Sequence, residues 1–314
     1  MMTSRRKFLK TTALGSGAFL IHPALKAMFM QQNGLEISLA EWSYHRAIAA
    51  GKMDHLDFAT KAKNDFGINA VEYVNGLFGS KKRNFKDAGK DSKYLSEMLK
   101  RSNNAGVVNH LLMVDEEGSL AGLKEKERLK AVDNHRKWLD AAKFLGCKTV
   151  RVNLHGEGPT DEKQKVSIDS LTRLGEMAAP MGLNVVVENH GSDSSKGTWL
   201  AAIMKAVNKT NVGTLPDFGN FCISHPWGTT QDGCTMEYNR YKGVEEMLPF
   251  AKGVSAKSYD FDEKGEQPLI NYEKMIRLVK DSGFNGYIGI EFEGNTQDES
   301  EGIRKTKALL ERYI

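Results

Sequence analysis

The sequence predicts an α/β protein folded as a single (β/α)8 TIM barrel. Three observations carry that expectation. Eight short apolar runs start about 30 to 40 residues apart, amphipathic stretches of helical period separate them, and no linker-like Pro/Gly/Ser tract interrupts the chain after residue 35.

In chain order the strands are expected at residues 36–42, 68–74, 107–114, 149–154, 184–188, 212–217, 253–257 and 287–291. This spacing accommodates one strand, one helix and two short loops, the repeat of a βαβ unit. Val185-Val186-Val187 is apolar on both faces, which suits a sheet covered by helices. Between strands, residues 133–145 place Trp138, Leu139, Ala142 and Leu145 near one face of a helix that Gly146 stops. Residues 272–279 repeat the design, with Met275, Ile276 and Val279 facing inward ahead of Asp281-Ser282-Gly283. Eight units without a break argue for closure into a barrel over an open doubly wound sheet. No Gly-rich turn after the first strand offers a dinucleotide site. Residues 78–93, rich in Lys and Gly, are expected to form a mobile loop over one end.

Function in such a barrel sits at the C-terminal ends of the strands. Three of them finish in a carboxylate: Val185-Val186-Val187-Glu188-Asn189-His190, Gly213-Thr214-Leu215-Pro216-Asp217-Phe218-Gly219-Asn220 and Tyr287-Ile288-Gly289-Ile290-Glu291-Phe292-Glu293-Gly294. A single acid at a strand end is commonly a helix N-cap or a surface charge, and Asp217 can also initiate a turn. Three at one depth of one mouth repel strongly unless a cation sits among them. A hard divalent ion with open positions for two substrate oxygens answers both the repulsion and the burial. Glu291 and Glu293 share a strand face if the strand continues; Glu291 is preferred because it directly ends the apolar run.

These three motifs, in this order and spacing, resemble the xylose isomerase-like family of sugar isomerases and epimerases over most of the chain after residue 35. The resemblance implies a divalent metal, commonly Mn, Mg, Co or Zn, held by Glu, Asp, His and Glu from successive strand ends. Glu188, Asp217 and Glu291 take three of those places. It also implies that Glu188 and Glu291 move protons on opposite faces of a sugar. The departure lies in the seventh strand, where Val254-Ser255-Ala256-Lys257-Ser258-Tyr259-Asp260 puts Ser255 at the expected histidine. Three protein ligands plus water, completion by His190 or His225, and weak or absent metal binding are the alternatives.

Lys257, beside these acids, is a candidate to polarise a carbonyl or stabilise an enediolate oxyanion; a salt bridge to Glu291 or Asp260 competes evenly. A Schiff-base role is disfavoured, because neighbouring acids oppose the depressed pKa it requires. Candidate substrate contacts are Asn153 and His155, which share a face of the fourth strand's end with Arg151, together with His190, Asn220 and Trp42. Trp42, with His45, can form an apolar wall for a sugar ring, and core packing is its alternative. His155 has the alternative of a structural hydrogen bond to backbone. Trp227 lies in a long segment, 221–241, that should overhang the site. Glu72, ending the second strand, reads as supporting structure.

The leading expectation is a metal-dependent sugar isomerase or epimerase that works through an enediolate. The alternative is a lyase or hydratase on 3-keto-glycosides, where proton abstraction next to the keto group expels the substituent at the neighbouring anomeric carbon. The sequence shows no cluster of Arg/Lys with Gly-rich turns for a phosphate, which favours a glycoside. A second alternative is a non-catalytic carbohydrate-binding barrel.

The 314 residues carry 44 Lys+Arg against 40 Asp+Glu, a formal charge of +4. Five of those bases, Arg5, Arg6, Lys7, Lys10 and Lys26, fall in an acid-free stretch of 27 residues, which leaves 39 basic against 40 acidic side chains. A body so nearly neutral has no electrostatic reason to seek nucleic acid or an anionic membrane. The expected partner is a small-molecule carbohydrate, with a homo-oligomer left open. Residues 1–27, an arginine pair followed by a short apolar run and small residues, read as a twin-arginine-type export signal ahead of a barrel at 28–314. Export to the periplasm is therefore expected. Cys147, Cys222 and Cys234 lack metal-ligand spacing, and Cys222 can pair with Cys234 without being obliged to.

Overall fold

Parallel strands need a long crossover to return, and the alternating helices supply one after each strand. The computed structural model describes residues 34–79, 85–231 and 233–314. Its strands are β1 (Leu35–Ala40), β2 (Ala70–Val74), β3 (Val108–Met113), β4 (Thr149–Val152), β5 (Asn184–Glu188), β6 (Val212–Leu215), β7 (Val254–Ser258) and β8 (Gly286–Phe292). All pair in parallel, in the order β6-β5-β4-β3-β2-β1-β8-β7. Two isolated parallel bridges, Thr214 to Ala251 and Asp217 to Ser255, join β6 to β7 and close the ring. Residues Leu35–Ile314 form one unit. The expected export signal, 1–27, lies outside the described residues. Among the described residues no helix is long and apolar enough to cross a membrane.

Strand boundaries follow local chemistry. β6 stops at Leu215 because Pro216 has no N–H to continue the ladder, so Asp217 rejoins the sheet only through its bridge to Ser255. β1 stops at Ala40, and Glu41–Tyr44 turns as a 3-10 helix whose Glu41 accepts from Val74 N at 3.0 Å. Trp42 thus sits on that turn, beyond the strand.

Successive side chains on a strand point to opposite faces, so one parity of each strand lines the inside of the ring. Ala40, Val74, Leu111, Met113, Val186 and Leu215 form a small buried apolar cluster there. Glu188 and Asp217 follow Val186 and Leu215 by two and continue the inward parity. The other parity packs against the helices. The helix Arg136–Leu145 buries Trp138, Leu139, Ala142 and Leu145, and ends on Gly146 at φ 82°. Tyr272–Asp281 buries Met275, Ile276 and Val279.

Residues 78–93 depart from the expected mobile loop. Phe78 is buried, Phe85–Ala88 is helical, and Ser92 begins a helix capped by Asp91. Phe78 and Phe85 pack on Trp138 with ring centroids 5.6 and 6.3 Å away, so aromatic packing fixes both flanks of a segment whose lysines suggested solvent. Residues 80–84 lie outside the described part. The helix expected from residue 133 begins at Arg136, after a preceding helix, Glu125–Asn134, has ended beside His135.

Candidate active site

The three strand-end acids meet. Glu188, Asp217 and Glu291 are all buried, and one carboxylate oxygen from each lies within 4.8 Å of the others. Asp217 is held by its own turn: Oδ1 accepts from the backbone N–H groups of Gly219 and Asn220 at 2.8 and 2.7 Å. Asn189 fixes its backbone, accepting from Asp217 N at 2.7 Å and donating to Asp217 O at 3.0 Å. Ser255 Oγ donates to Asp217 Oδ2 at 2.6 Å and lies 3.1 Å from Glu291 Oε2, so one hydroxyl proton serves two acids. The residue standing at the expected histidine therefore links two of the carboxylates. Completion by a histidine does not occur among the described residues: no histidine nitrogen joins the three acids. His190 and His225 are turned to Asn153 and to the backbone of Trp227.

Two buried cations flank the acids. Lys257 Nζ lies 2.9 Å from Glu291 Oε1 and 3.0 Å from Glu293 Oε2, but Asp260 is bonded instead to the backbone of residues 295–297. Arg151 Nη1 pairs with Asp115 Oδ1 at 2.5 Å, and its Nε faces Glu188 Oε2 at 2.9 Å. That second contact is an ion pair without hydrogen-bond alignment, and Glu188 Oε2 accepts no hydrogen bond. Five carboxylates (Asp115, Glu188, Asp217, Glu291 and Glu293) thus meet two cations.

Burial pushes the Glu188 carboxyl well above the usual carboxylate range; Arg151 pulls it back, and Glu291 and Asp217 add to the rise. Burial likewise raises Asp217 to about 6, against the charge of Lys257. Burial alone would lower the Lys257 ammonium, but Glu291, Glu293 and Asp217 outweigh it and hold the pKa well above its ordinary value. The contacts thus favour the charged ammonium over a free amine.

The other sequence candidates spread around this cluster. Asn220 Nδ2 donates to Glu188 Oε1 at 3.0 Å, which spends its amide on the carboxylate. Asn153 Nδ2 donates to Asp115 Oδ1 at 2.6 Å and its Oδ1 meets His190 Nδ1 at 3.0 Å. His155 and His190 are brought within 6.0 Å of each other, centroid to centroid. Trp42 is half-buried, stacks on His45 at 4.6 Å and donates its Nε1 to Glu293 Oε1 at 2.7 Å. Glu291 therefore belongs to the acid cluster, while Glu293 positions Lys257 and Trp42. Asp115 was not picked out from the sequence. Its signal was present, since Leu111-Leu112-Met113-Val114 is an apolar run ending in an acid, like the three that were read. Glu72 lies inside the ring with Ser38 Oγ donating to its Oε1 at 2.6 Å, and its Oε2 has no partner. Cys222 and Cys234 form a disulfide with their Cα atoms 5.8 Å apart.

The profile of the family described as xylose isomerase-like TIM barrel matches residues 59–313. A curated relative from Microbacterium, the 3'-dehydrocarminate deglycosidase alpha subunit, is 33% identical over 101 residues, covering 31% of this chain and 29% of that protein. The matched stretch is therefore under a third of either protein's length. Among solved structures, 3-keto-D-glucoside 4-epimerase from E. coli superposes with a TM-score of 0.63 at 14% identity, over 89% of this chain and 100% of that one. The IolI protein with a bound zinc atom superposes at 0.61 and 15% identity, over 89% and 99%. Both are likenesses of fold.

Proposed function

The chain belongs to the xylose isomerase-like TIM-barrel family, and from that premise we propose that it is a sugar isomerase or epimerase that moves a proton next to a carbonyl. The observation that carries the reading is the burial of Glu188, Asp217 and Glu291 around one point. These residues fit a divalent cation. Oxygens no more than 4.8 Å apart can share an ion at ordinary metal–oxygen distances of about 2.0–2.6 Å. Glu188 Oε2 is a buried acceptor with no hydrogen bond, and the acids outnumber their cations. Glu188, Asp217 and Glu291 would hold the ion, and when bound it would supply a Lewis acid for the substrate carbonyl. The zinc-bound fold neighbour supports this assignment.

The chain's own groups divide the remaining work. One of Glu188 and Glu291 removes the proton from the carbon beside the carbonyl, and the other returns a proton to the other carbon or face. Arg151 and Asn220 hold Glu188 in place, and Ser255 and Lys257 hold Glu291. The Lys257 ammonium offers N–H donors to the oxyanion that develops on the carbonyl oxygen. Asn153 and Trp42 face the reacting sugar's hydroxyls and ring.

A second reading keeps the same first step and changes the outcome. If the neighbour of the deprotonated carbon bears a glycosidic substituent, the electron pair expels that group, and the other glutamic acid gives it a proton as it leaves. Similarity to a deglycosidase subunit favours this elimination. That relative and the epimerase neighbour are both named for keto or dehydro glycosides, so a 3-keto-glycoside is the substrate class the two readings share. Export through residues 1–27 is part of the proposal, and a disulfide suits an oxidising compartment.

The test is turnover of 3-keto-glycosides by purified protein. Chelation is expected to abolish turnover and Mn or Mg to restore it; undiminished activity in metal-free protein overturns the metal-assisted reading. Product mass decides between outcomes, because elimination releases the substituent and isomerisation conserves it.

A further inference from the structure

Trp227 is a large aromatic ring left 44% exposed. It stands edge-on to His155 and His190, with centroids 4.9 and 5.2 Å away. His155 and His190 follow β4 and β5, whereas the other aromatic wall, Trp42, is bonded to Glu293 beyond β8. In a ring of eight strands these positions lie across the mouth from each other. The acid cluster therefore has two aromatic walls, and one reacting sugar needs only one of them.

The Trp227 wall is built, not incidental. The Cys222–Cys234 disulfide ties the ends of its segment. Cys222 N donates to Gly228 O at 2.8 Å, and Gly228 N to His225 O at 3.1 Å. The segment presses so closely on Gly191 that a Cβ there would meet Pro226 O at 2.2 Å. The imidazoles are also oriented. Asn153 donates its amide to Asp115, so its carbonyl faces His190 Nδ1, which must carry the proton and leave Nε2 as an acceptor. His155 Nε2 is buried without a partner.

We propose that Trp227, His155 and His190 form a second-ring subsite, which takes the substituent carried by the reacting sugar. An aromatic face beside imidazole nitrogens suits a ring with an apolar face and hydroxyls, whether a sugar or a phenol. This placement rests on the proposed function, since the acid cluster is where the reacting sugar sits.

Unoxidised methyl, phenyl and glucosyl β-glucosides test it by calorimetry on the full chain, without any reaction. The phenyl and glucosyl compounds are expected to bind about five- to tenfold more tightly than the methyl compound, and whichever gains more identifies the ring. Trp227→Ala should remove that gain and leave methyl glucoside within about twofold, while Trp227→Phe keeps most of it. Equal affinities for all three probes, no binding at all, or an equal loss for all three in Trp227→Ala overturns the subsite. The same proteins are assayed on the 3-keto derivatives. Ring-dependent binding without turnover sinks the proposed reaction and leaves the subsite standing; turnover with no ring dependence does the reverse.

Discussion

The barrel buries acid at two depths and treats it in two ways. At the mouth, Glu188, Asp217 and Glu291 are surrounded by Arg151, Lys257, Ser255, Asn220 and two turn amides. One layer below, Glu72 has a hydrogen bond from Ser38, and burial, relieved in part by that bond and by the more distant Arg151 and reinforced by Glu291, pushes its carboxyl up to about 7. The space for Glu72 comes from Gly289, where a Cβ would meet Glu72 Oε1 at 2.5 Å. The contrast separates two uses of a buried acid. Burial raises the acids in both places, but at the mouth Arg151 and Lys257 stand in direct contact and oppose it, whereas Glu72 has one hydroxyl and no cation against its carboxylate.

The largest effect should fall on activity at the mouth. Glu188→Gln and Glu291→Gln are each expected to lower kcat about 10²–10⁴-fold. Neither change should destabilise the metal-free protein much, because each relieves repulsion among the acids. Near-normal turnover by either variant would erase the distinction between the two layers. Next, Lys257→Met leaves buried Glu291 and half-buried Glu293 without their cation and should cost about 3–5 kcal/mol in urea unfolding. A loss under about 1 kcal/mol would mean that the lysine does not compensate them.

The lower layer makes the opposite demand. Glu72 binds its proton more tightly in the folded state, with a pKa of about 7 against an ordinary value of 4.5. Stability should therefore be full below about 4.5 and fall as pH rises toward about 7, a loss on the order of 3 kcal/mol. Glu72→Gln is expected to flatten that slope and to be the more stable protein at pH 8; parallel stability curves for the two proteins would refute the assignment. Smallest is Gly289→Ala, expected to cost about 1–3 kcal/mol by overpacking against Glu72. Pairing it with Glu72→Ala should recover much of the loss, and strictly additive costs would show that the two positions do not collide.

The strands were legible because a parallel barrel strand must be apolar on both faces, and the run 184–188 matches β5 end to end. The acids at the mouth were legible for a related reason: an acid that ends an apolar run stands out, and the parity of Val186 and Leu215 carries Glu188 and Asp217 inward. Asp115 carried the same signal and shows that the rule extends to β3. What a single chain did not disclose were partners far apart in sequence. Ser255 bonds residues 38 and 36 positions away, and Trp42 meets Glu293 at 251. Nor did spacing reveal that Phe78 and Phe85 would anchor a lysine-rich segment on Trp138.

The join between β6 and β7 lacks the continuous ladder that fastens the other neighbouring strands. Pro216 interrupts it, and the bridge nearest the mouth is made by Asp217 and Ser255 themselves. Native-state amide exchange should therefore reach the N–H groups of Lys252, Ser255 and Phe218 before those at the middle of β5. The clasp that completes the ring is also part of the reactive centre, so transient unfastening there wets the acids while the rest of the protein stays folded.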